Sequence, residues 1–340
     1  MYVYIHIWFS VFRYCALQAL QKTIRCSVDF KIAARDYLQG VNRAMATVEY
    51  ITHLNLAQVE TLAFAGGGNR CWWQAGALTH LLERGWRLPP QLVGASAGAA
   101  VAASCLTTGP KAALEDCLSL YASNSRIFDW NGLAHLKLRF AHEQIYPEWI
   151  SAIVNAGNFG ALCCSPIKLR VAFTRPARAL GLAGSIAAGT LAYIIDKYLW
   201  NSIHPRLPKV FGLRQGFLDL HQCQTIEDAQ ALLVGAAAAP PFMAPRHVGG
   251  AAAFDGGYTD NAPIHSQIAS EKSRTLVLLT RHYAKLPSLF RWRERIYWQP
   301  SQRIPVSTWD CTARTTVREA FAFGAHDAAL TLRGGGLYVA

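Results

Sequence analysis

Two short apolar runs constrain this chain more than any other feature. They are "ETLAFAGGGNR" at 60–70 and "QLVGASAG" at 91–98, and each runs into a glycine turn. Residues 60–65 and 91–95 have the length of buried strands. Between them, Ala75, Leu78, Leu81 and Leu82 recur at helical spacing over 72–84, and "RLPP" closes that helix. After the second run, "SAGAAVAASCLTTG" reads as a helix of small residues ending at Gly109-Pro110. Strand, loop, helix, strand, turn, helix is a βαβ unit, so the two strands are expected to be parallel and adjacent. The fold class is α/β.

The rest of the chain extends this pattern. A helix is expected over 111–122, a strand over 167–174, a helix over 226–239 stopped by Pro240-Pro241, and a strand over 274–280. The uncharged stretch "ALGLAGSIAAGTLAYII" at 179–195 is at the lower limit for a membrane span. It reads either as a membrane-touching segment or as a buried or lid-forming helix pair, because Gly181, Gly184 and Gly189 weaken a single helix. The first twenty residues are apolar but interrupted by His6 and Arg13, which makes a poor signal peptide and a short span. Organised patterning begins after "MATVEYITHL", so residues 1–44 read as an extension and Met45 as the natural start.

Composition bounds the partners. The chain has 340 residues, 52% hydrophobic and 16% charged, enough to bury a core. Its net charge of +12 favours nucleic acid or an anionic membrane surface without choosing between them. Arg291, Arg293 and Arg295 alternate with aromatic residues in "SLFRWRERIYW" at 288–298. That stretch suits lipid headgroups or single-stranded nucleic acid, or else forms an ordinary solvated helix with its aromatic residues turned inward. Nine cysteines without a C-x-x-C pair imply free thiols in a reducing compartment.

The chemistry is concentrated in three places. Gly94, Ser96 and Gly98 form G-x-S-x-G between a strand and a helix. A nucleophile there projects its Oγ from a sharp turn, the glycines keep neighbouring backbone clear, and the helix N-terminus favours negative charge. Gly66, Gly67 and Gly68 form the second site. A phosphate loop would need a following Lys-Ser or Lys-Thr, and a dinucleotide loop a glycine where Cys71 stands. What remains is an oxyanion hole built from backbone N–H groups, at the ends of the same parallel strands as Ser96. Gly334–Gly336 is also a triple glycine but precedes no helix, so the triplet alone means little. The third site is Asp255-Gly256-Gly257, a common turn sequence that gains meaning beside a serine needing a base. His265 and His282 follow it, so a Ser-Asp-His order is also open.

"GGGNR", "GASAG" and "DGG" in this order, with "DAQALLVGAAAAPPFMAPRHVGGAAAFDGGYTDNAPI" around the last, resemble the patatin-like phospholipases over roughly 62–279. The resemblance implies a mostly parallel central sheet sandwiched by helices in three α/β/α layers. It implies a lipid acyl hydrolase with a Ser–Asp dyad, Ser96 as nucleophile and Asp255 as proton acceptor. Gly66, Gly67 and Gly68 fall on the oxyanion loop and Arg70 on its arginine, with Gly94, Gly98, Gly256 and Gly257 as support. The family's loop often continues with glycine where this chain has Cys71. The implied catalytic domain is 45–285, with an apolar helical insertion at about 179–200 and a tail, 286–340, on or beside it. Expected partners are a lipid substrate at an anionic membrane surface and no nucleic acid, with no cofactor or metal, in a cytoplasmic or peripheral membrane setting. The alternatives are an esterase with a Ser-Asp-His triad, in which the glycines would lie further ahead of Ser96, and a basic binding protein without hydrolase activity.

Overall fold

The computed structural model describes residues 48–129 and 139–338; the proposed 1–44 extension and Met45 lie outside the described residues. β1 (Glu49–Tyr50) and β2 (Leu54–Asn55) come first, then β3 (Thr61–Phe64) and β4 (Gln91–Ala95) where the apolar runs place them. β5 (Phe128–Asp129) and β6 (Arg139–Phe140) pair as a small ribbon. β7 (Lys168–Arg175), β8 (Arg214–Asp219), β9 (Arg246–Val248) and β10 (Ala251–Asp255) follow. β11 (Thr275–Leu278), β12 (Leu289–Trp292), β13 (Arg295–Trp298) and β14 (Leu337–Tyr338) complete the strands.

One ten-stranded sheet runs β1-β12-β13-β11-β3-β4-β7-β10-β9, with β8 also on β7. Its middle, β13-β11-β3-β4-β7, is parallel throughout. Antiparallel strands finish both sides. All four residues of β3 and of β11 are buried, as expected of parallel strands covered by helices on both faces. The architecture is therefore a three-layer α/β fold with a mostly parallel central sheet.

The helix between β3 and β4 spans Cys71–Glu83 and is buried on all sides from Cys71 to Leu78, Trp73 included. The helix Val317–Arg333 crosses it at two glycines. A Cβ on Gly76 would stand 1.9 Å from the Phe321 carbonyl oxygen, and one on Gly324 1.9 Å from the Trp73 carbonyl oxygen. Backbone thus meets backbone. Trp73 fixes the crossing further, donating Nε1–H to the buried Asp327 carboxylate at 2.8 Å and meeting Trp298 edge-on.

Three sequence expectations change here. The stretch 179–195 is one helix, Gly181–Ile195, and not a pair. Packing offsets the weakness of its glycines: Gly189 sits where a Cβ would stand 2.6 Å from the Tyr258 ring. Among the described residues no helix is long and apolar enough to cross a membrane. The stretch 288–298 is a β-hairpin, with Arg293 and Glu294 at the turn in left-handed backbone, φ 49° and 69°. Its residues Phe290, Trp292, Ile296, Tyr297 and Trp298 are all buried, too many for one face of a solvated helix. Its arginines are engaged, Arg291 with Glu49, Arg295 with Gln267, and Arg293 over the Trp292 ring. The region after 285 thus supplies two strands of the main sheet and a packed helix, which is more than a tail.

Candidate active site

β7 sets the geometry. β4 runs parallel to it and stops with Ala95 opposite Ala172. β10 runs the other way and stops with Asp255 opposite Phe173. Both strands lie on the same side of β7 and end head to head. Ser96 follows β4 directly, so it arrives beside the last residue of β10. Ser96 Oγ donates to Asp255 Oδ2 at 2.5 Å, joining residues 159 apart in sequence.

Ser96 sits at φ 53°, ψ −139°, a strained conformation for a residue with a side chain. That is the expected signature of a strand-to-helix elbow, followed at once by the helix Ala97–Leu106. The flanking glycines are there for lack of room. A Cβ on Gly94 would stand 2.5 Å from the Ala99 Cα, and one on Gly98 2.6 Å from the Ala65 carbonyl oxygen. Gly256 crosses the gap between the two strand ends, where a Cβ would stand 2.6 Å from the Ala172 oxygen.

Asp255 is held from several sides. Its Oδ1 accepts the Gly257 N–H at 2.6 Å, its own N–H donates to the Ala238 oxygen, and its carbonyl accepts from Thr174 Oγ1. Only 5% of Asp255 and 7% of Ser96 are exposed. Burial pushes the Asp255 carboxyl up to about 6, against the opposing pull of hydrogen bonds from Ser96 and the Gly257 N–H. A buried carboxyl in that range is a better proton acceptor than an ordinary aspartate.

The glycine loop lies against the serine: a Cβ on Gly66 would stand 3.0 Å from the Ser96 Cβ. Its three members are not equivalent. The Gly66 N–H already donates to the Asn261 oxygen at 2.8 Å, and the Gly66 oxygen accepts from Thr280 Oγ1 and Asn261 Nδ2. Gly66 is therefore held on both sides, its N–H engaged by the Asn261 oxygen. No partner is found among the described residues for the N–H groups of Gly67 and Gly68. Gly68 has φ +55° and leaves only 2.4 Å between a Cβ and the Thr308 oxygen. Arg70 donates Nε–H to the Gly67 oxygen at 3.2 Å, bracing the loop from below. Cys71 is buried in the first turn of the helix, its thiol directed at the Ala65 oxygen at 3.5 Å and pushed up by burial. It acts as a small packed residue with a weak donor, which accounts for its place after the loop.

No histidine hydrogen-bonds to Ser96 or Asp255 among the described residues. His282 Nδ1 contacts the Pro300 oxygen at 2.9 Å, and the His265 ring meets Phe217. Sequence reading missed Asn261, Thr280 and Thr174, which hold the loop and the aspartate. Asn261 lies inside the quoted "TDNAPI", but nothing in that string marks it for this task.

Residues 62–268 match the sequence profile of Patatin-like phospholipase. The matched region begins on β3 and includes Ser96, Asp255 and the whole glycine loop. Among individually curated proteins the chain finds no significant match. The profile spans more than half of the chain, and with the fold it places the protein in the patatin-like phospholipase family, whose members hydrolyse lipid esters.

Proposed function

We propose that this protein is a serine lipid acyl hydrolase working through a Ser96–Asp255 dyad. The observation that carries the reading is the buried 2.5 Å hydrogen bond from a serine at a strained elbow to an aspartate of raised proton affinity. Asp255 takes the Ser96 proton as Oγ attacks the ester carbonyl. The tetrahedral oxyanion is met by the N–H groups of Gly67 and Gly68, joined by that of Ala97 at the start of the helix, whose dipole favours negative charge. Collapse expels the alcohol, which takes the proton back from Asp255. Water, activated by the same carboxylate, then releases the acyl group.

Labelling with a fluorophosphonate probe tests this. Wild type is expected to label, Ser96→Ala not at all, and Asp255→Asn far more slowly, while both variants keep the wild-type melting profile. Undiminished labelling of Ser96→Ala would remove the proposal. Loss in a His265→Ala variant with Asp255→Asn still active would replace the dyad by a triad.

A further inference from the structure

We infer that the segment 178–210 is a bilayer-docking surface, lying on an anionic membrane directly over the dyad loop. The observations are where apolar side chains are exposed and what charge surrounds them. Nine large apolar residues are exposed in the described chain, and four that stay clear of the inner cleft, Leu180, Leu182, Leu199 and Val210, fall in this one segment. Leu199 and Val210 are 65% and 76% exposed. The segment folds back on itself, with Gly212 against Ala177, so Val210 returns toward the end that carries Leu180 and Leu182.

The charge around them has one sign. Arg178, Lys197, Arg206 and Lys209 are all exposed. Arg178, Arg206 and Lys209 have no ion pair among the described residues. The segment's single acid, Asp196, is 1% exposed and turned inward onto Arg281 at 3.3 Å. Exposed leucines in one segment with the exposed cations Arg178, Arg206 and Lys209 match a bilayer carrying anionic lipid, with apolar side chains entering the acyl boundary and cations meeting phosphates. At 15 residues the helix Gly181–Ile195 is too short to span, and a surface position suits it.

The inner side of the segment reaches the candidate site. Gly189 packs on the Tyr258 ring, three residues beyond Asp255, and Tyr193 and Ile203 face Ala65, Gly257 and Asn261 across one cleft. A bilayer held on the outer side therefore lies next to the loops that hold Ser96 and Asp255. The purpose of the surface rests on the lipid acyl hydrolase reading, but its composition does not.

Co-sedimentation with phosphatidylcholine vesicles, with and without phosphatidylglycerol, tests the inference. Three variants of the full chain are compared with wild type: Leu182→Ser/Leu199→Ser/Val210→Ser, Arg206→Glu/Lys209→Glu, and the remote control Ile268→Ser/Leu330→Ser. Wild type and control are expected to bind the anionic vesicles, and the first two variants to bind about tenfold or more weakly. Turnover of a soluble short-chain ester is expected to stay the same in all of them. Equal vesicle binding by every variant would overturn the inference, as would an equal loss in the control. So would wild type that binds single-stranded oligonucleotide in place of vesicles, or one that forms a dimer broken by the first variant. Vesicle binding through this face without ester turnover would sink the hydrolase reading and leave the surface standing. Ester turnover without vesicle binding would do the reverse.

Discussion

Glycine lets backbones touch in two regions of this molecule, with different consequences. At the strand ends, Gly94, Gly98 and Gly256 bring β4, β10 and the start of a helix together, so that a serine and an aspartate can meet. At the helix crossing, Gly76 and Gly324 let Cys71–Glu83 and Val317–Arg333 close on each other, and the atoms they crowd belong to the facing helix and not to Ser96 or Asp255. The packing logic is the same in both. In the first region the contact brings the proposed dyad together, and in the second it holds two helices together. The triplet at 334–336 is a third case, in which a Cβ on Gly334 would meet nothing nearer than 3.3 Å. Crowding around the glycine distinguishes the three, and the residue type alone does not.

The comparison can be broken by experiment. Asp255→Asn keeps the shape of the strand-end contact and removes the proposed base, so kcat/KM on a soluble ester should fall about a thousandfold with no loss of thermal stability. An equal loss of stability would mean that the site region is also a folding element. Gly76→Ala should show the opposite pattern: about 2–3 kcal/mol lost in urea denaturation, with wild-type turnover per folded molecule. Lower turnover in the folded fraction would erase the distinction between the regions.

A pH series sharpens the first region. In the proposed mechanism Asp255 is a base only when ionised, so kcat/KM should fall about tenfold per pH unit below about 6. Stability should move the other way. The folded carboxyl titrates above its ordinary value, so between about 4 and 6 the folded state holds a proton that the unfolded chain has released. Acidification from pH 7 through that window should therefore raise this group's contribution to stability, and Asp255→Asn should abolish the trend. A trend that persists in the variant would assign it to another group. The smallest effect is expected at Gly334→Ala, within about 0.5 kcal/mol of wild type by denaturation. A large loss there would mean that the crowding criterion fails.

Much of the site was legible because chemistry dictates residue type locally. An elbow needs G-x-S-x-G, and "DGG" ends a strand with a carboxylate and a turn. The parallel strands were legible for a similar reason, since burial on both faces leaves continuous apolar runs. Asn261 and Thr280 were not, because they act on Gly66 from 195 and 214 residues away and carry no local pattern. The hairpin at 289–298 was misread because arginines alternating with aromatic residues suggest a surface, whereas the sheet buries the rings and ties up the guanidinium groups. The single helix at 181–195 depended on Tyr258 to support Gly189, a tertiary contact that no propensity contains.

The head-to-head meeting of β4 and β10 has a practical consequence for engineering. Ala95 and Asp255 face consecutive residues of β7, so one strand's rise of about 3.3 Å per residue gauges the serine-to-aspartate distance. The 159-residue excursion between them does not enter that measure. A guest domain spliced into an exposed turn of the excursion, such as Gly157, would leave the gauge untouched, and the protein could carry a sensor or a tether without recalibrating its dyad.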